Sequence, residues 1–180
     1  RSEKFVVRFP LGMRDWVARA AGVPVLPRGG GTSQCGQTIG RAVVVDVSRH
    51  LTEVGPVVDG EIEVEPGVVL DQLNAGLAST HLWFPVDPAT ASRATLGGMA
   101  GNNSAGSRSL RYGMMVDNVA AVEAVLPDGR RLWLGEGGSE AQVMPDELAA
   151  LRALYARDAE EIARRTPRTL RNVAGYNVDR

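Results

Sequence analysis

At 180 residues and a net charge of −1, the chain is long enough for one domain or two small lobes sharing a core, and no global field draws it to nucleic acid or an anionic membrane. An apolar fraction of 44% with 23% charge is ordinary for a soluble globular protein, whereas 21 glycines against 5% aromatics point to tight turns and close backbone approaches. The single cysteine, Cys35, excludes an internal disulfide and a cysteine metal cluster, and no apolar run approaches the ~20 residues of a membrane helix.

Phe5-Val6-Val7-Arg8 predicts a short strand and Met13 to Ala21 a helix that stops at Gly22. Val23-Pro24-Val25-Leu26 predicts a second strand, so the three make a small βαβ unit. Pro27 to Thr38 then brings three consecutive glycines (Gly29, Gly30, Gly31) followed by Thr32 and Ser33. Such a stretch presents main-chain N–H groups without Cβ bulk, a concave site suited to an anion. Ala42 to Val47 predicts a strand after it. The loop therefore joins strand to strand, where a Rossmann dinucleotide turn opens a helix, and no Gly-Lys-Ser/Thr occurs to make a P-loop.

Glu53–Val58 and Glu61–Glu65 flank Asp59-Gly60, a strong hairpin signal. Ile62 and Val64 face one way and Glu61, Glu63 and Glu65 the other, so alternation explains these glutamates without a metal. Val68 to Ala78 predicts a helix and His81 to Pro85 an apolar strand, with His81 a packing residue beside Trp83 and Phe84. From Val86 to Asn118 periodicity is low and Gly, Ser, Asn and Ala are frequent, which predicts a long functional loop. A second hairpin spans Val119–Leu126 and Arg130–Leu134 about Asp128-Gly129, and Gly135 to Gly138 breaks the chain. Pro145 to Arg165 predicts an amphipathic helix with Leu148, Leu151, Leu154, Tyr155, Ala159 and Ile162 on one face. The arginines gathered from Arg157 to Arg171 suit a solvated surface.

Thr95-Leu96-Gly97-Gly98 through Asn102-Asn103-Ser104-Ala105-Gly106 is a second glycine-rich stretch. Two such loops without a lysine suggest one elongated polar ligand cradled by backbone, as a nucleotide diphosphate would be.

These residues carry a family resemblance. Pro27 to Ser33 resembles the first FAD loop of the FAD-linked oxidases of the vanillyl-alcohol oxidase (PCMH-type) superfamily. Thr95-x-Gly97-Gly98, Asn103 to Gly106, Arg111-Tyr112-Gly113, Asp117-Asn118-Val119 and Val125 to Gly129 resemble its second segment. Within that superfamily the chain is most similar to D-lactate dehydrogenases and the glycolate oxidase D-type subunit. Arg171 to Asp179 resembles the long, iron–sulfur-fused branch.

The resemblance implies an α+β fold, with a small N-terminal βαβ lobe over residues 1–50 and a larger mixed-sheet lobe over 51–180, FAD lying between them. It places Arg28, Gly29, Gly30, Gly31, Thr32 and Ser33 at the FAD pyrophosphate, with Gly36 and Gln37 near the ribityl or flavin end. Asp87 and Pro88 would lie against the cofactor, Thr95, Gly97 and Gly98 would support diphosphate and ribose, and Asn102, Asn103, Ser104 and Ala105 would bond the isoalloxazine edge. Thr32 and Ser33 stand where some relatives carry a linking histidine, which implies non-covalent FAD; Cys35 reads as an ordinary loop residue. Gly30→Val is expected to abolish FAD binding on the reading that Gly30 holds a positive φ.

The implied function is the FAD-binding portion of a flavin-dependent oxidoreductase acting on a D-2-hydroxy acid of the D-lactate or glycolate type. The alternative is an FAD-carrying electron-transfer module without its own substrate site. The Gly-Ser-Glu-Gly-Thr segment of the family, the catalytic residues and any iron–sulfur cluster are expected outside these residues, so the chain reads as a fragment inactive alone. An iron–sulfur or quinone electron acceptor is expected, with no nucleic-acid partner. The expected setting is the cytoplasm, at most peripheral to the inner face of the membrane.

Overall fold

The computed structural model describes residues 5–7, 17–37, 39–126, 128–135, 138–169 and 171. Two sheets organise them. Strands β1 (Phe5–Val7), β4 (Val54–Val58), β5 (Glu61–Val64), β6 (Val119–Val125) and β7 (Arg131–Gly135) form a five-stranded sheet in the order β4-β5-β1-β6-β7. Its central strand β1 runs parallel to both β5 and β6, while β4–β5 and β6–β7 are antiparallel hairpins. The second sheet is the parallel pair β2 (Val25–Arg28) and β3 (Val43–Asp46).

This order corrects the expected βαβ unit. β1 lies in the large sheet, away from β2, although helix α1 (Val17–Ala20) does stand between them in sequence. Three apolar residues cannot specify their neighbour; strand choice here is tertiary. The rest of the expected helix from Met13, Thr38, Pro127, Glu136, Gly137 and the stretch 172–180 lie outside the described residues.

Both hairpins form where Asp-Gly pairs predict them. Asp59 (φ 52°) and Gly60 (φ 82°) both take left-handed backbone, as the tightest hairpin turns require. On β5, Ile62 and Val64 are buried while Glu61 and Glu63 are exposed. Helix α2 (Leu70–Leu77) turns Leu70, Leu73 and Leu77 inward and continues as a short 3-10 turn, Ala78–Thr80. The core beneath the sheet joins these to Phe84, Val86, Leu96, Met99 and Met115.

His81 to Pro85 is not a strand. Its backbone bonds a side chain in place of a neighbouring strand: the Phe84 amide donates to Asn74 Oδ1 at 2.7 Å. His81 is exposed in left-handed backbone (φ 59°) rather than packed. Nor is the stretch from Val86 to Asn118 one long loop. It holds α3 (Leu96–Gly101), α4 (Ser109–Tyr112) and α5 (Met115–Asn118). Helices of four to six residues are too short to print a 3.6-residue period, so pattern alone passes over them.

After α6 (Glu140–Val143), the long helix α7 runs over Pro145–Arg165 as its sequence predicts. Proline occupies its first turn, acids follow, and arginines fill its last turn, all favourable to the helix dipole.

Candidate functional site

The two glycine-rich stretches meet at Thr95. This residue is 2% exposed, and its Oγ1 is buried without a hydrogen-bond partner among the described residues. A Cβ added at Gly29 would lie 2.1 Å from that oxygen, and one added at Gly98 would lie 3.1 Å from it. Loops almost seventy positions apart in sequence therefore share one threonine hydroxyl.

Local zippering fixes that hydroxyl. The Leu70 amide donates to the Ala94 carbonyl at 3.0 Å and the Leu96 amide to the Val68 carbonyl at 2.8 Å. This short antiparallel bridge clamps Thr95 opposite Val69, just before α3. The Thr95 carbonyl accepts the Met99 amide at 2.8 Å as the helix begins, while the side chain makes no cap bond. An unspent buried hydroxyl costs about 1–3 kcal/mol.

Gly30 is seated on the same wall. A Cβ there would fall 2.0 Å from the Arg93 carbonyl oxygen. The expectation that Gly30 holds a positive φ is therefore corrected: the left-handed residue is Gly31 (φ +66°), and Gly30 is glycine because two backbones touch. Arg28 folds back over the turn, its Nη2 2.8 Å from where a Gly31 Cβ would stand. Among the described residues, no amide from Gly29 to Gly36 donates to a main-chain carbonyl. A row of uncommitted N–H groups beside an arginine is an anion cradle. Farther along, Ser33 Oγ bonds Gln37 Oε1, and Ser33, Cys35, Gly36 and Gln37 are all exposed, while Thr32 is half-buried.

The second stretch differs. Its amides are largely spent on the chain itself: Gly97 donates to Pro66, Asn102 to Gly98, Asn103 to Ala100, Ser104 to Met99 and Gly106 to Ser109 Oγ. Asn103 Oδ1 accepts the Val116 amide at 3.0 Å, and Asn102 Nδ2 donates to Ser104 Oγ at 3.1 Å. Gly97 packs against Pro66, where a Cβ would lie 2.5 Å from the proline Cβ. Gly98 is exposed and Ala105 half-buried.

Asp87 anchors this segment. Its carboxylate accepts Ser107 Oγ at 2.7 Å and the Arg108 amide at 2.8 Å, and the Arg108 guanidinium stands 3.6 Å away. Burial pushes the carboxyl up, but the Ser107 hydroxyl, the backbone amides and the Arg108 charge outweigh it, and the group settles below its ordinary 3.8. Neighbouring Pro88 is half-buried and offers its carbonyl to the Ala91 amide at 3.0 Å.

Sequence reasoning passed over three contributors. The Arg93 carbonyl seats Gly30, Asn74 carries the Phe84 backbone, and Asn118, 1% exposed, donates through Nδ2 to the Tyr112 and Met114 carbonyls at 2.9 and 2.7 Å. A carbonyl leaves no sequence signal. A buried asparagine does leave one, in its place between apolar residues where a polar side chain must find partners.

The arrangement fits FAD: an orphaned hydroxyl, open amides and an arginine on one loop, and a rigid, internally bonded wall opposite. Among the described residues no group of acids, histidines or cysteines could hold a metal ion, and no helix is long and apolar enough to cross a membrane.

Comparison with known proteins gives the same answer. The chain is 41% identical over 126 residues to the D-2-hydroxyglutarate dehydrogenase of Escherichia coli, a match covering 68% of this chain and 12% of that protein. It is 39% identical to the probable mitochondrial D-lactate dehydrogenase of Danio rerio (69% and 26%) and 36% identical to the D-lactate dehydrogenase of Archaeoglobus fulgidus (74% and 32%). The chain thus spans from about an eighth to a third of the length of these relatives. An alkyldihydroxyacetonephosphate synthase structure superposes with a TM-score of 0.59 at 27% identity, covering 67% of this chain and 25% of that one. The FAD binding domain family matches residues 16–135, which takes in both glycine loops and every strand from β2 to the end of β7. This chain belongs to the FAD binding domain family, within the FAD-linked oxidases.

Proposed function

We propose that the chain is the FAD-binding portion of a flavin-dependent oxidoreductase that oxidises a D-2-hydroxy acid of the D-2-hydroxyglutarate, D-lactate or glycolate kind. The observation that carries the cofactor reading is the buried Thr95 Oγ1, unpartnered between two glycine loops. The relatives' names support the substrate class. When bound, FAD supplies the acceptor for the hydride leaving C2 of the hydroxy acid.

This chain's residues hold and orient. The uncommitted amides of Gly29 to Ser33, with Arg28 and the Thr95 hydroxyl, receive the diphosphate, and Gly36 and Gln37 line the path toward the ribityl chain. Gly97 and Gly98 let the wall come close, and Ala105 with Asn102 to Ser104 borders the ring edge. Asp87 and Pro88 act through the loop they brace. Thr32 and Ser33 leave no histidine for a covalent link, so FAD is held non-covalently. The division expected at residue 50 is shifted by β1, which belongs with β4 to β7: the first lobe is the parallel pair β2–β3 with its glycine loop, the second is the five-stranded sheet with β1 at its centre, and the cofactor lies between them. Substrate groups and the route to an iron–sulfur or quinone acceptor belong to the rest of a longer enzyme, as the short coverage of the relatives suggests.

Anaerobic mixing of the full-length protein with D-2-hydroxyglutarate, D-lactate and glycolate tests the reading. Bleaching of the flavin band by one of them is expected. A protein that carries flavin yet bleaches with none would instead be an electron-transfer module without a substrate site. Protein purified without flavin, and not taking it up, would overturn both.

A further inference from the structure

α4 carries a second candidate site on the surface, lined by none of the residues placed at FAD. Trp83, Ser107, Arg108, Leu110, Arg111 and Tyr112 surround an open pocket of about 380 Å³. The Trp83 and Tyr112 rings meet edge to face, centroids 5.2 Å apart and planes at 87°. Each carries a guanidinium over its face: Arg108 lies 4.8 Å from the Trp83 centroid and Arg111 lies 5.4 Å from that of Tyr112.

Leu110, also in the lining, is 73% exposed, an apolar side chain held in water. Asp87 reaches Arg108 at 3.6 Å; Arg111 rests on Tyr112. The pocket therefore combines flat apolar walls with an excess of positive charge. A guanidinium over a ring keeps its charge and its fork of N–H donors, which match a carboxylate's two oxygens. Its volume is that of a small-molecule site.

We propose that this pocket binds a small organic anion, a carboxylate on a flat apolar body, with Arg108 and Arg111 holding the carboxylate and Trp83, Leu110 and Tyr112 the body. Asp87 ties Ser107 and Arg108 of this pocket to the second loop, but none of the lining residues is itself placed at FAD, so the proposal does not need the hydroxy acid reading.

The probes are 2-naphthoate and its neutral analogue 2-naphthamide, titrated into the full chain by calorimetry and tryptophan fluorescence. The acid is expected to bind with a Kd of about 1 mM or tighter and the amide about tenfold more weakly. The double variant Arg108→Gln/Arg111→Gln should bring the acid down to the affinity of the amide. Should that variant lose its far-UV circular dichroism, Arg111→Gln alone is expected to weaken the acid about threefold. In Trp83→Phe calorimetric binding should persist while the fluorescence quench disappears. Equal binding of acid and amide, unchanged affinity in the arginine variants, or a quench surviving in Trp83→Phe would overturn the proposal. So would competition between FAD and the acid, which would make the pocket part of the cofactor site.

Discussion

The two glycine-rich loops look alike in sequence and work oppositely in structure. Among the described residues the amides from Gly29 to Gly36 donate to no main-chain carbonyl, and beside them β2 is mostly half-buried and β3 mostly exposed. From Gly97 to Gly106 almost every amide donates within the chain, and Thr95, Ser104, Ser109 and Asn118 are buried. The first loop has donors to give and little stiffness; the second has stiffness and few donors left. Seating Gly29 and Gly30 on Thr95 and Arg93 lends the first loop the rigidity of the second. A preorganised cradle holds its ligand more tightly than a floppy one, because less ordering remains to be done at binding.

The sharpest way to break that arrangement is to push the loops apart. In Gly30→Val the new Cβ would sit 2.0 Å from the Arg93 carbonyl, so the loop must leave its seat. We expect about 3 kcal/mol of lost binding, roughly a hundredfold in FAD affinity, with far-UV circular dichroism near that of the parent. Gly30→Ala should do nearly the same, since contact and not φ is at issue. Gly36→Ala is the control: nothing lies within 4 Å of its Cβ, and only its φ of +81° resists, at about 1 kcal/mol. Normal flavin fluorescence titrations in Gly30→Ala would show that the loops are not in contact.

Stiffness of the second loop is tested at Asn118. Asn118→Leu keeps the size but takes the Nδ2 donor from the Tyr112 carbonyl and leaves the Met114 carbonyl with the Asp117 amide alone. A loss of about 2–3 kcal/mol in urea unfolding is expected. A smaller effect follows at the joint, where its sign discriminates. Thr95→Val removes a hydroxyl that bonds nothing among the described residues, so the FAD-free protein should be unchanged or about 1 kcal/mol more stable. FAD affinity should fall about tenfold. If both quantities fall together, the hydroxyl has a structural partner and is not waiting for a ligand.

How much of this was legible follows from where the signals lie. Both Asp-Gly hairpins, α7 from Pro145 to Arg165 and both glycine loops are local features, written within a few residues of themselves. The pairing of β1 between β5 and β6 is not local, and three residues cannot encode it. The false strand at His81 to Pro85 is instructive: Leu82 to Pro85 are apolar, but His81 is left-handed and the donor and acceptor that Phe84 needs come from the Asn74 side chain. At the site, the sequence named the loops and could not say which amides are spent. Gly97 and Gly30 look equivalent as letters, yet one meets Pro66 and the other Arg93. Only the packed structure shows which part of the chain each glycine must leave room for.

Asp87 offers the gentlest test, and its pH dependence gives it direction. Its carboxylate is the only tie, among the described residues, that joins the Pro85–Pro88 turn to the start of α4 through Ser107 and Arg108. Because those bonds hold its pKa below 3.8, the folded state binds its proton less readily than the unfolded chain does. The stabilisation is thus complete above about pH 4, the unfolded range of an aspartate, and is lost as pH falls through the folded value. Asp87→Asn keeps an acceptor oxygen but gives up the charge, so at pH 7 a loss of about 1 kcal/mol is expected. Below pH 4 the gap between parent and variant should close, because the parent carboxyl then protonates and weakens its own bonds. Urea midpoints of both proteins from pH 3 to pH 7 measure this directly. A gap that stays constant over that range would mean that the size and shape of the Asp87 side chain, and not its charge, brace the second loop.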